Sequence, residues 1–415
     1  MEEKSAIKDI LNMNVKRSEI VYKHMQDPAL LRYYYRLKML PITDKLNIQG
    51  SSPTDIFIGR YNYPNVFIGP MLPPIFGDTS ILATPERWRD FSIERIVSAR
   101  SQLVRGTYLS KAKNVEKGRI EEQIRDLALS DKPSDAQLDF KHKPYVRLSL
   151  NDDVQPFGPS AQIQQFRLYN TRTNKQLQKK YADTDATAKD AVIELYNNGM
   201  PISKIQQGFS AGLFGIISKR KFVPTRWSIT AVDDTIGKNN LEIVKGFNEL
   251  DCIYAFFHVA LDNRWLIFFI PGKWAYESAE AWYPKTIWNQ DESYVSIYSS
   301  YEGYNGRKEY AEIGGCYYAA KLAVTEKLRE MKAQGKVIIL REVHPGYIMP
   351  VGVWNVREHV RETLQTTPVV LNTRGEMFEY IKDKLEIKLK DWVNNCTLLK
   401  HLAYQRGIND YIAKN

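Results

Sequence analysis

Acidic and basic residues gather at two places where metal-assisted phosphodiester chemistry could be carried. Lys219-Arg220-Lys221 leads through Pro224 and Arg226 into Asp233-Asp234, and Arg341-Glu342 closes the apolar run Val337–Leu340. Acids at the end of a strand, beside basic and hydroxyl groups, are what such a reaction requires. Arg226, Asp233, Asp234, Arg341 and Glu342 are therefore the candidate catalytic set of a nucleotide- or phosphodiester-processing enzyme. The turn from Pro156 to Ser160 could serve it as an anion cradle. The same residues also read as ordinary structure: Asp233 to Gly237 as a turn, Arg341-Glu342 and Arg357-Glu358 as internal ion pairs. Gly208-Phe-Ser210-Ala-Gly212 matches the nucleophile-elbow pattern, but Ser203 to Gln207 before it is polar where that mechanism needs a buried strand. Close packing of a glycine face explains it better. Neither G-x-x-x-x-G-K-[ST] nor a strand-borne G-x-G-x-x-G occurs, so the common phosphate loops are absent.

Basic residues point more broadly to a polyanion. Lys and Arg number 58 against 48 Asp and Glu, a net charge of +10, and the surplus is local. Arg100, Arg105, Lys111, Lys113, Lys117 and Arg119 face only Glu116 in their segment, and Arg167, Arg172, Lys175, Lys179 and Lys180 form a second group. Phosphate- or nucleic-acid-binding candidates are Arg60, Arg100, Arg105, Ser160, Lys219, Arg220 and Lys221. Solvated faces would look the same.

The end of the chain carries the sharpest pattern. Gln405-Arg-Gly-Ile408-Asn-Asp-Tyr411-Ile412 fits Q-x-x-aliphatic-x-x-aromatic-x, the peptide that docks on a sliding clamp such as PCNA. Gln405 would anchor by hydrogen bonds while Ile408 and Tyr411, on one side of a helical turn, fill an apolar pocket. Ile412 stands where a second aromatic is usual, which weakens the fit.

The elements that must position these groups alternate irregularly, so the class expected is mixed α+β, with short strands, a β-hairpin at 252–271 and long C-terminal helices. Phe57, Ile58 and Val66 to Ile68 read as strands. A helix is expected from Thr84 and Pro85 through Ile96, strands and turns over 125–165, and a helix at 186–198. Phe222 to Val232 reads as a strand, 315–334 as a helix ended by Gly335, and Val337–Leu340 as a buried strand. Phe378 to Cys396 reads as one amphipathic helix. Cys252, Cys316 and Cys396 offer no metal-ligand or disulfide spacing; no metal ligand is assigned and no cofactor is expected, and binding of a nucleotide or divalent metal is left open. Met1 to Ser5 opens no signal-peptide core, and Asp262 to Arg264 interrupts the most apolar stretch. These features suggest a soluble, cytoplasmic, nucleoid-associated protein with no membrane partner.

Several strings, in order, resemble the archaeal Nre family of DNA-repair proteins. They are Phe57 to Pro70, Leu127 to Ser130, Pro156 to Ser160, Val223 to Asp233, Gly314 to Ala323, Leu340 to Glu342 and Pro350 to Trp354. The resemblance covers about 50 to 402. It implies a role in DNA repair with a nuclease partner, DNA as a ligand, and PCNA binding through Gln405, Ile408, Tyr411 and Ile412. It implies a pathway without a reaction. The expected divisions are a helical lead-in at 1–45, an N-terminal region at 46–300, a C-terminal region at 301–402 and the clamp-binding tail at 403–415. Many members begin with a four-cysteine zinc motif, whereas residues 1–45 contain no cysteine.

Overall fold

The computed structural model describes residues 39–404, apart from 41, 147–154, 287, 290–292 and 348. The tail residues Gln405, Ile408, Tyr411 and Ile412 therefore lie outside the described residues. The chain forms two compact units, one of residues 1–236 with 349–355, the other of 237–348 with 356–415. Both combine helices with a sheet, so the protein is mixed α+β.

The first unit contains β1 (Asn47–Ser52), β2 (Ile56–Ile58), β3 (Asn65–Leu72), α1 (Ile93–Arg100), β4 (Val104–Lys111), α2 (Arg119–Leu129), β5 (Ser134–Phe140) and β6 (Ser160–Leu168). Then come α3 (Lys175–Ala182), α4 (Ala188–Asn197), α5 (Ile202–Ser210) and the start of α6 (Thr225–Val244). Its six strands are ordered β1-β5-β6-β4-β3-β2, and only β4 and β6 run parallel. Alternation of side chains sends Ile48, Val66, Ile68, Leu138 and Phe166 into a core, and α2 packs on the sheet. The opposite face carries polar residues that bond across strands, such as Gln49 to Gln137 at 3.2 Å and Asn47 to Asp139. Farther along that face, Phe67 and Leu109 sit opposite each other and exposed.

The second unit contains β7 (Asn248–Glu249), β8 (Ile253–Ala260), β9 (Asn263–Ile270), β10 (Ala275–Trp282), β11 (Ser296–Glu302), α7 (Gly315–Met331), β12 (Ala333–Gln334) and β13 (Lys336–Val343). There follow α8 (Trp354–Gln365, in this unit from Val356), β14 (Val369–Leu371), α9 (Arg374–Lys384), α10 (Leu389–Asn395) and α11 (Thr397–Tyr404). The large sheet is ordered β11-β10-β13-β9-β8-β14, and β7 pairs with β12. Leu266, Phe268, Ile338 and Leu340 pack with Met377, Ile381, Trp392 and Leu399 in one core.

The hairpin at 252–271 and the helix at 186–198 form as expected, the latter capped by Thr187 on the Asp190 N–H. Five expectations are corrected. Phe222 to Val232 is no strand: from Thr225 it belongs to α6, whose buried positions Ser228, Val232, Ile236, Asn240 and Val244 recur every four residues. The helix placed at Thr84 shrinks to a 3₁₀ turn at Pro85–Arg87, and α1 starts later because Ser92 caps it by accepting from the Arg95 N–H. Part of 125–165 is helical, as α2. The single helix expected over Phe378 to Cys396 is two, α9 and α10, and α11 begins directly after it. Glu342 accepts the N–H groups of Glu386 and Ile387, which holds the chain extended after α9. Glu277 accepts those of Thr397, Leu398 and Leu399, which starts α11 afresh. Gly335 is not the stop of α7 either, since Lys332 turns into the left-handed region at φ 52° before it. Among the described residues no helix is long and apolar enough to cross a membrane.

Candidate nucleic-acid interface

The loop joining β2 to β3 presents Arg60, Tyr61 and Tyr63. It is fixed at both ends: Ile58 N–H donates to Thr225 Oγ1 at 2.9 Å, and Gly59 N–H donates to the Phe67 carbonyl at 2.8 Å. Asn62, between the two tyrosines, takes a left-handed φ of 68° in the turn. Two further backbone bonds, Ala112 N–H to Pro64 O and Phe222 N–H to Ala112 O, align the loop with the segment that carries Lys221.

Against this loop stands the first turn of α6, where Trp227 packs on Tyr63 with ring centroids 5.2 Å apart. Tyr61 is 76% exposed and Trp227 44% exposed, although burial of such rings is worth more than almost any other side chain's. Cations interleave with them. The Lys221 ammonium lies 5.8 Å from the Tyr63 ring centre, and the Arg60 guanidinium 5.1 Å from that of Tyr61. On the sheet beside the loop, Lys111 opposes Asn65, and Leu109 opposes Phe67. Among the described residues Arg60, Lys111, Lys219 and Lys221 make no ion pair. Exposed rings with unpaired cations between them suit a single-stranded nucleic acid, whose bases stack while its phosphates meet the charges.

Arg105 shares the face of β4 that carries Leu109 and Lys111, by two-residue alternation; the three span roughly 20 Å. Its guanidinium carbon lies 3.9 Å from the Phe57 ring centre and 5.4 Å from that of Phe157. Its Nε is shut off from solvent without a hydrogen-bond partner. Burial draws this arginine down to about 10, and no carboxylate pairs with it among the described residues. Lys204 on α5 likewise has no bonded carboxylate among the described residues; it hydrogen-bonds Thr54 at 3.0 Å and lines a cavity of about 320 Å³ with Asp131, Asn174, Asn198 and Gln207. Burial pulls its amine down to about 7.

Other expected phosphate ligands have partners within the fold. Arg100 is buried, pairs with Asp55 at 2.6 Å and donates to the Leu82 and Pro156 carbonyls. Arg220 donates to the carbonyls of Gly215, Tyr181 and Asp183 and clamps their loops. Ser160 is buried, and its N–H donates to Tyr145 O as that of Gly158 donates to Leu103 O. Ser210 of the elbow-like motif donates to Val223 O at 2.7 Å, and a Cβ on Gly208 would come within 2.6 Å of Phe214.

The catalytic candidates divide between the units. Arg226 is half-buried at the start of α6, and Asp233 and Asp234 follow it on the same helix. Asp233 is buried and accepts from the Gln206 amide at 3.0 Å. In the second unit Arg341 donates to Glu280 at 2.7 Å and to Asn263 at 2.9 Å, under the rings of Trp265 and Trp282. Burial works against its charge, and the Glu280 carboxylate more than offsets that, so its pKa stands above the ordinary value. Glu342 is spent on the backbone of 386–387. Sequence reading had found Arg60 and Lys221 and missed Tyr61, Tyr63 and Trp227. The signal was present as aromatic residues directly beside basic ones, Arg60-Tyr61 and Arg226-Trp227.

Comparison with known proteins agrees in both units. The archaeal Nre N-terminal family matches residues 25–289 and the archaeal Nre C-terminal family residues 302–411. DNA repair protein NreB of Archaeoglobus fulgidus is 38% identical over 355 residues, 85% of this chain and 89% of that protein. DNA repair protein NreA of the same organism is 31% identical over 374 residues, covering 88% and 90%, and that of Haloferax volcanii is 33% identical, covering 87% and 88%. No solved structure matches the chain. With both halves matched and relatives aligned along most of their length, the chain belongs to the archaeal Nre family.

Proposed function

We propose that this protein acts in DNA repair by holding unpaired DNA on the aromatic and basic rim formed by Arg60, Tyr61, Tyr63, Lys111, Lys221 and Trp227. Exposed tyrosine and tryptophan beside unpaired cations is the observation that carries this reading. The names of the relatives supply the pathway. The C-terminal peptide with Gln405, Ile408, Tyr411 and Ile412 tethers the protein to the PCNA clamp, which raises its concentration where DNA is being copied or mended and where a nuclease partner works. Fluorescence anisotropy with labelled single-stranded and duplex oligonucleotides tests the rim. Single-strand binding that weakens with salt is expected; no binding even at low salt overturns the reading. Removing residues 403–415 should abolish co-purification with the clamp while leaving oligonucleotide affinity unchanged.

A further inference from the structure

His258 lies on β8, while His359 and Glu362 lie one turn apart on α8, all in the second unit. The i, i+3 spacing puts the latter two on one helix face. Their donor atoms converge: His359 Nδ1 is 2.8 Å and His258 Nε2 3.5 Å from the same Glu362 oxygen, and donor atoms of all three lie within 4.8 Å of one another. A tetrahedral zinc ion with bonds of about 2.1 Å needs its donors about 3.4 Å apart, so small side-chain rotations would admit one.

From this juxtaposition we propose that His258, His359 and Glu362 form a divalent transition-metal site, with zinc as the best-fitting ion. Two neutral imidazoles and one carboxylate give a ligand set of matching hardness and a single negative charge to offset the ion. Exposure is graded across the set. His359 is buried, the Glu362 side chain is 12% exposed and that of His258 29% exposed. The centre thus opens on the His258 side, leaving a coordination position for water or a ligand. Three protein ligands with one open position is the arrangement of zinc sites that do chemistry, whereas structural sites are closed by four. The surrounding scaffold is rigid. Trp265, 1% exposed, has its ring centre 6.3 Å from that of His359, and the neighbouring Arg361 is neutralised by Glu326 and Glu358.

The test uses the full chain, stripped with chelator and then titrated with zinc by calorimetry and with cobalt(II) by visible absorption. One equivalent should bind, with the intense visible bands of tetrahedral cobalt, and zinc should raise the unfolding temperature. Glu362→Gln and His258→Asn should each lower affinity by more than the roughly 10–100-fold that loss of an outer-shell partner costs, and should erase the cobalt bands. Unfolding in chelator shows that both variants are folded. Absence of saturable binding in the parent protein overturns the site. Equal binding by parent and variants also overturns it, because the ion then sits on other donors.

Discussion

The two units treat buried charge differently. In the second, buried Lys321 meets Glu302 at 2.6 Å and buried Arg341 meets Glu280 at 2.7 Å, while half-buried Arg361 is shared by Glu326 and Glu358. Glu277 pairs with no cation among the described residues and is satisfied instead by three N–H groups at the start of α11. The first unit contains pairs of this kind, as Arg100 with Asp55, but also Arg105 and Lys204, half-buried cations with no carboxylate bonded to them among the described residues. A charge withdrawn from water and left unpaired costs stability. The paired charges fix a scaffold. The unpaired ones are a standing cost that an anionic ligand would offset, and they occur in the unit where Arg60 and Lys221 stand beside the exposed rings of Tyr61 and Tyr63.

The largest expected effect separates the two kinds directly. Glu302→Gln strands the Lys321 ammonium, which is 4% exposed, and should lower the unfolding free energy by about 3–5 kcal/mol in urea titration. Arg105→Met breaks no ion pair and removes a charge whose burial costs stability, so it should leave the unfolding free energy no lower than the parent's while weakening oligonucleotide binding. Equal losses of stability in the two variants would end the distinction.

Lys204 gives the next effect. An unfolded lysine titrates near its ordinary value of 10.5, and the folded amine near 7. Between those values the unfolded chain keeps a proton that the folded chain has shed, so stability rises with pH through that window. Below about 7 the folded state bears the whole cost of the enclosed charge. Lys204→Met should therefore raise stability by a few kcal/mol near pH 6, and the gain should shrink as pH approaches 10, as read from denaturant midpoints. A gain that does not change with pH would mean that Lys204 is fully hydrated.

Trp227→Ala and Tyr63→Ala follow, each costing about 1–3 kcal/mol of single-strand affinity by anisotropy. Because Trp227 is exposed at 44% and Tyr63 at 38%, stability should move by no more than about 0.5 kcal/mol. Loss of affinity for duplex and single strand alike would point to charge rather than stacking.

How much of this could be read in the sequence depended on whether the deciding partner was local. The hairpin at 252–271 was legible because Asp262 to Arg264 interrupts two apolar runs at the spacing of a tight turn. α6 was not, since Ile229 to Val232 is rich in β-branched residues and its buried stripe includes Ser228 and Asn240, whose polarity hid the four-residue period. Charge alone flagged Arg60, Arg100, Arg105 and Arg220 equally. Tertiary contacts sort them: Arg100 finds Asp55 and Arg220 finds three carbonyls, whereas Arg60 reaches solvent beside Tyr61. His258 and His359 were invisible as a pair because a strand and a distant helix bring them together.

The smallest effect tests how sharply the rim is bounded. Lys219 and Lys221 are both exposed and stand two positions apart, so charge counting treats them as equivalent. The structure does not, because Lys221 lies over Tyr63, whose other neighbour is Trp227. A phosphate following a base stacked there would meet Lys221. Each phosphate contact to a single strand contributes about 0.7 to the slope of log affinity against log salt. Lys221→Ala should lower that slope by about this amount, and Lys219→Ala should leave it unchanged. If both variants lower it equally, the strand is held by a diffuse basic field and the rings are not its platform; if only Lys221 matters, the edge of the interface runs between these two lysines.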